Sequence, residues 1–253
     1  MSWRNPAGGL RYHVRAWASG DRWDGFRSEL ASWLADFEPR SPRALLVGPS
    51  AGYTFPDAFL RRFSAITVLE PDPIAGFLLM RRLRRLGISE LTLEPRDQLL
   101  SPLLELGRAG ARGLVELLDA DPERALIFGN VLGQTGFLLD DADFDRFKAA
   151  FRERIWPRLE GRAWLSFHDR LSGNLAPTFS GSYRANERLD DARVLSELYP
   201  RDPEGGSVEL FDHRSDGFFP STLPHTYFNW PIDRARRHLI EAVASLDHGQ
   251  GVL

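Results

Sequence analysis

Ala44-Leu-Leu-Val-Gly48-Pro-Ser50-Ala-Gly52-Tyr-Thr54, followed by Ile66-Thr-Val-Leu-Glu70-Pro-Asp72-Pro73, is the stretch that decides the fold. The apolar run Ala44 to Val47 is short and ends at a glycine, as a buried strand does. Gly48 tolerates positive φ and so permits a tight turn. Gly52 leaves room for close backbone approach. Pro56 opens a helix, because proline is accepted in a first turn. Ala65 to Leu69 is a second strand, and Glu70 closes it. Glu70 falls 22 residues after Gly48, close to the ~20 at which an acid meets ribose hydroxyls in dinucleotide-binding folds. A carboxylate accepts hydrogen bonds from both hydroxyls of a vicinal diol, which explains the residue type.

Outward from this unit the alternation of strand and helix continues. Helices are expected over Pro56 to Phe63, Ile74 to Leu86, Pro102 to Leu118 (broken around Gly107 to Gly113) and Phe144 to Leu159. Strands are expected at Leu91 to Leu93, Ala125 to Phe128 and Ala163 to Phe167. Strands separated by helices imply a mostly parallel sheet with helices on both faces. Upstream, Trp23, Phe26, Leu30, Trp33, Leu34 and Phe37 recur at helical spacing, so Asp21 to Phe37 reads as an amphipathic helix. Met1 to Ser19 reads as a loosely ordered arm. Residues 1–40 are therefore an N-terminal element packed on a domain spanning 41–253. Near the C-terminus, Leu189 to Tyr199 is helical and Val208 to Phe211 a strand. The segment 225–246 stays open between strands at Tyr227 to Trp230 or His238 to Val243 and a helix over Arg234 to Leu246. The loops Ser172 to Arg188 and Arg214 to His225 are long, as functional loops often are.

The chain resembles the class I S-adenosylmethionine (SAM) dependent methyltransferases over roughly Ala44 to Phe167. The likeness rests on Gly48, Ser50 and Gly52 in the first loop, on Leu69-Glu70-Pro71-Asp72-Pro73, on Asp97 after the third strand, and on Gly129-Asn130-Val131-Leu132 after the fourth. It implies an α/β, Rossmann-like fold with an antiparallel C-terminal strand, SAM as cofactor, and methyl transfer to an acceptor the sequence does not name. It further implies that Gly48, Ser50, Gly52, Glu70, Asp72, Asp97 and Asn130 bind the cofactor. Ser50 and Pro49 stand where the family has a freer glycine loop, and no acid precedes Gly48. Those departures keep a second expectation open: a non-catalytic ligand-binding or scaffold protein on the same fold.

Gly48-Pro-Ser50-Ala-Gly52 also matches Gly-x-Ser-x-Gly, the nucleophile elbow of serine hydrolases. Against that reading, the elbow follows the first clear strand and no oxyanion-loop segment precedes it. A nicotinamide-dinucleotide enzyme needs Gly-x-Gly-x-x-Gly, which this loop does not supply. Asn130 and His168 follow the fourth and fifth strands on the edge where open α/β sheets bind ligands. They are the candidate catalytic residues, Asn130 to orient and His168 to take a proton.

Composition narrows the remaining classes. The 253 residues carry a formal charge of -3 and no cysteine. Thiolate zinc sites, disulfides and cysteine nucleophiles are excluded. The acidic balance provides no general attraction for nucleic acid, and Arg81-Arg82-Leu-Arg84-Arg85 reads as a solvated helix face. His168, His213 and His225 lack the local spacing of a metal pair, so no metal is expected. No apolar run approaches the ~20 residues of a spanning helix, and a cytoplasmic protein with a small-molecule cofactor is the expectation.

Overall fold

The computed structural model describes residues 10–104, 113–201 and 208–245. In chain order the elements are α1 (Leu10–Trp17), α2 (Asp24–Ala35), β1 (Arg43–Val47), α3 (Asp57–Leu60), β2 (Ala65–Leu69), α4 (Pro73–Arg85), β3 (Glu90–Glu94), α5 (Leu100–Leu103) and α6 (Leu114–Ala120). They continue with β4 (Ala125–Gly129), α7 (Asp141–Arg154), β5 (Trp164–Gly173), β6 (Ser182–Ala185), α8 (Asp191–Leu198), β7 (Leu210–Asp212), β8 (His225–Trp230) and β9 (Arg237–Ala244). Most of the expected break at Gly107 to Gly113 lies outside the described residues. Among the described residues, no helix is long and apolar enough to cross a membrane.

The sheet runs β3-β2-β1-β4-β5-β9-β8-β6, with β7 pairing β5 off this path. The pairs among β3, β2, β1, β4 and β5 are parallel. β9 is antiparallel to both β5 and β8. This is an α/β, Rossmann-like sheet closed by an antiparallel C-terminal strand. Strand order reverses between β1 and β4, the point at which such sheets open a crevice beyond their carboxyl ends.

Alternation along the strands divides the core in two. Ala44 and Leu46 of β1, Ile66 and Val68 of β2, and Ile127 of β4 pack with Phe26, Leu30 and Leu34 of α2 and Leu79 and Leu83 of α4. Leu45, Val47, Leu126 and Phe128 face the other way, onto Leu114 and Leu118 of α6 and Phe144, Phe147 and Phe151 of α7. Both faces of β1 and β4 are covered, which is why these strands are continuous apolar runs rather than alternating ones. α2 is anchored on β8, where Phe26 stacks on Trp230 at 4.8 Å and Trp23 meets the same ring edge-on. Trp23 Nε1 donates to the Ile232 carbonyl.

Several segments differ from the sequence expectation. β5 continues through His168 and Asp169 to Gly173 instead of ending at Phe167, so His168 lies within the strand rather than after it. Leu10–Trp17 is a helix rather than an arm. Both open alternatives within 225–246 are strands, paired as the hairpin β8–β9, and the helix over Arg234 to Leu246 is not formed. The first long loop contains β6, paired antiparallel to β8.

The hairpin carries a buried charged network on its α7-facing side. The Glu241 carboxylate lies 2.9 Å from Arg188 Nε, 2.8 Å from His225 Nδ1 and 3.6 Å from Arg170 Nε. Arg170 reaches onward to Asp191 and Asp212. Burial alone would raise the Glu241 pKa, but His225 and Arg188 outweigh it and hold it down at about 2. A carboxylate with a depressed folded-state pKa stabilises the fold above its unfolded value, and that contribution is lost as pH falls toward the folded one. Unfolding free energy should therefore decline from about pH 4.5 toward pH 2. Glu241→Gln should flatten that limb in urea titrations and cost about 3–5 kcal/mol near neutrality, since it strands buried guanidinium groups. An unchanged acid limb would show that Glu241 does not carry it.

Candidate functional site

Four loops meet at the β1/β4 reversal, where sheets of this order bind ligands. After β1 the backbone turns at Gly48, Ser50 and Gly52, with φ of +62°, +51° and +71°. Left-handed glycines are unstrained, whereas the same region is uncommon for serine. Gly48 is required for a second reason. A Cβ there would lie 2.4 Å from Val131 Cβ, in the loop after β4. At Gly52, a Cβ would meet Leu79 of α4 at 2.8 Å. Arg82, from the basic run expected to be solvated, pins this loop by donating to the carbonyls of Gly52 and Phe55 and to Asp57.

Glu70, buried at the end of β2, joins two loops. One carboxylate oxygen accepts the Ser50 N–H at 2.8 Å, and the other accepts the Asp72 N–H at 2.9 Å. Burial pushes its pKa up to about 7 despite both hydrogen bonds. Asp72 caps α4 by accepting from the N–H groups of Ile74 and Ala75. Asp97, after β3, behaves alike at α5, accepting from the backbone of Leu99, Leu100 and Ser101 and from the Ser101 hydroxyl.

Asn130 ends β4 in the left-handed region, φ +60°, which asparagine tolerates better than most residues. Its side-chain oxygen accepts the Asp169 N–H at 2.9 Å, and its amide donates to the Asp169 carboxylate at 3.3 Å. Gln134 donates to the same carboxylate oxygen. The other oxygen lies 2.7 Å from His238 Nδ1. Burial raises the Asp169 pKa, but His238, then His213 and the Asn130 amide, overcome it and hold the group below the usual carboxylate range.

Helix α1 roofs these loops. His13 Nδ1 is 2.9 Å from the Tyr53 hydroxyl, and its Nε2 is 3.7 Å from Asp72. Tyr12 lies against Tyr53 and Trp23. Burial, then the charges of Asp169, Tyr53 and Glu70, drive the Tyr12 phenol pKa upward. Tyr12 thus stands in the field of both acids, one from each side of the crevice.

The structure brings Gly48, Ser50, Glu70 and Asp72 into one bonded unit and sets the Asn130 loop against Gly48. Asp97 is tied to its own helix. His168 goes elsewhere: strand alternation sends Phe167 and Asp169 to the α2 face and His168 to the opposite one. Its ring is buried, with Nδ1 2.9 Å from the Ser166 hydroxyl and Phe219 stacked at 6.1 Å. Burial lowers its pKa to about 4. Sequence reasoning missed Tyr12, His13, Gln134 and His238. The last was hidden by the unresolved strand-or-helix choice over 225–246. For Tyr12 and His13 the available signal was the helical spacing of Leu10, His13, Val14 and Trp17.

No protein-family model matches the sequence, and no curated protein matches it. Among solved structures, the chain is similar to the magnesium protoporphyrin IX methyltransferase from Synechocystis PCC 6803 with bound SAM, at 12% identity and a TM-score of 0.45, over 96% of this chain and 94% of that one. The mitomycin 7-O-methyltransferase is 18% identical with a TM-score of 0.34; the match covers 57% of this chain and 36% of that one. The plantazolicin methyltransferase in complex with SAH is 11% identical with a TM-score of 0.35, over 66% and 54%.

The Gly48 packing is directly testable. Gly48→Ala combines a left-handed backbone with a clash on Val131 and should cost about 2–4 kcal/mol in chemical denaturation. Val131→Ala in the same chain should recover part of the loss. Independent, additive effects of the two substitutions would contradict the contact.

Proposed function

We propose that the protein is a SAM-dependent methyltransferase using the crevice at the β1/β4 reversal. The observation that carries the reading is Glu70: a buried carboxylate at the carboxyl end of β2, hydrogen-bonded to the Ser50 N–H of the glycine-bearing loop after β1. Parallel sheets of this order bind ligands at that edge. Each Glu70 oxygen accepts one backbone N–H and retains lone-pair capacity for a ribose hydroxyl. Gly48, Ser50 and Gly52 would pass beneath the amino-acid portion of SAM. Asp72 and Asp97 would border the nucleoside side, where their oxygens are already partly engaged in capping helices. The Asn130 loop would border the transferable methyl.

The sulfonium of bound SAM supplies an electrophilic methyl, so the protein's part is positioning and water exclusion. Asn130 suits an orienting role, since Asp169 and the β5 backbone fix its amide. The roof, α1, would exclude water. His168, enclosed on the other face, is assigned no proton-transfer step. His238, half-buried beside Asp169, would border the acceptor end instead.

A non-catalytic module on the same fold is favoured by one observation. The space a looser glycine loop would leave over Gly48 is filled by Val131. The hydrolase reading has less support: among the described residues, no histidine is hydrogen-bonded to the Ser50 hydroxyl.

Calorimetric titration separates these readings. Wild-type protein should bind SAM and its demethylated product. Glu70→Ala should weaken binding by about 1.5–3 kcal/mol, the range for a hydrogen bond to a charged group. Absence of binding by either ligand overturns the methyltransferase proposal and favours the non-catalytic module. Unchanged affinity in Glu70→Ala overturns the ribose assignment. A fluorophosphonate probe should leave Ser50 unlabelled, and stoichiometric labelling there would favour the hydrolase.

A further inference from the structure

We propose that Asp169, His213 and His238 form a binding site for one divalent transition-metal ion of the zinc type. The three residues come from β5, the residue after β7, and β9. One potential ligand atom from each lies within 4.8 Å of the other two. Two imidazoles and one carboxylate, with coordination positions left open, is a ligand set that suits borderline divalent cations. This site differs from the histidine groupings that the sequence suggested, and it stands whether or not the methyl donor binds.

The surroundings are those of oriented ligands rather than of three groups that happen to meet. His213 Nδ1 is 2.7 Å from the Gly133 carbonyl. A carbonyl can only accept, so Nδ1 carries the proton and Nε2 keeps its lone pair. Ligating histidines are commonly held this way by a backbone carbonyl on the far nitrogen. The His213 ring is also clamped edge-on by Phe137 at 4.9 Å and Phe211 at 5.4 Å, which stack on one another. Its Nε2 faces the Ser172 hydroxyl at 3.0 Å. Asp169 is oriented as tightly, since Asn130 and Gln134 both donate to Oδ2. That leaves Oδ1 for His238 Nδ1, 2.7 Å away.

A cation at ordinary zinc–ligand lengths of about 2.0–2.2 Å can bridge that oxygen–nitrogen pair with little movement. Coordination replaces the hydrogen bond, and its proton leaves to solvent. Access exists from the His238 side, whose side chain is 16% exposed while Asp169 is fully enclosed. The absence of cysteine makes the nitrogen and oxygen donors the relevant set. Gly133 completes the fit: its Cα lies so close to Asp169 that a Cβ would fall 2.5 Å from the Asp169 carbonyl oxygen. Only glycine lets this loop approach β5 closely enough for its carbonyl to hold His213.

The test uses the full chain, stripped with chelator and dialysed against zinc chloride near neutral pH. One zinc per chain should be retained, and the thermal midpoint should rise with free zinc. X-ray absorption on the zinc-loaded protein should show nitrogen and oxygen neighbours only, with the scattering pattern of two imidazoles. His213→Gln and His238→Gln should each lower zinc affinity at least about tenfold, with circular dichroism confirming the fold. If either variant fails to fold, the wild-type absorption spectrum decides. Failure to retain zinc, a shell without two imidazoles, or wild-type affinity in a folded variant overturns the site. Because the readout is zinc itself, these results are independent of SAM binding.

Discussion

The crevice depends on one buried carboxylate. Glu70 ends β2, yet its hydrogen bonds reach the loop after β1 and the start of α4. Both are backbone N–H groups just beyond strand ends, so an acceptor placed there fixes both loops at once. Burial makes the arrangement costly for a charge, as the raised pKa records. Such a cost is commonly found where a group is kept for binding rather than for stability. The remaining parts follow from this placement. Asp72 begins α4 two residues on, His13 of α1 reaches Asp72, and Arg82 of α4 returns to hold the Gly52 turn.

A second constraint acts where β5 runs past the end of β4 while still paired with β9. Adjacent residues on a strand face opposite sides, so His168 and Asp169 cannot share a surface. Asp169 goes to the α1 side and gathers Asn130, Gln134 and His238. His168 goes to the α7 side, near Glu241, to which it is paired in register. A bulge between Asp169 and Leu171 then shifts the register. The result is two buried polar groups back to back across one sheet. One reaches solvent through the half-buried His238. The other is a charge network in which Arg170, Arg188 and His225 surround the Glu241 carboxylate.

The sheet's parallel half was legible because its strands are apolar runs punctuated by glycine and proline. Ala65 to Leu69 matches the observed strand, and Ala125 to Phe128 falls one residue short. The C-terminal hairpin was not legible. Arg237–Ala244 is covered on both faces and so lacks clean alternation, and its buried Glu241 and half-buried His238 are held by partners distant in sequence. Local pattern cannot report such partners. The same reason hid α1, whose polar residues His13 and Tyr12 meet Asp72, Tyr53 and Trp23 only in the folded chain. Glu70 and Asn130 were legible as strand-end residues, because each directly follows an apolar run. His168 was chosen over Asp169 because sequence fixes the edge of the sheet but not, at a strand's exit, the face.

The most direct measurement is photo-crosslinking of radiolabelled SAM to the intact protein, followed by peptide mapping. A ligand seated at the β1/β4 reversal should label peptides containing 48–54, 70–72 or 130–134, and excess unlabelled demethylated product should suppress the label. Saturable label confined to the opposite edge of the sheet, around Arg40, Arg162 and His225, where a cavity of about 340 Å³ opens, would contradict the placement of the site.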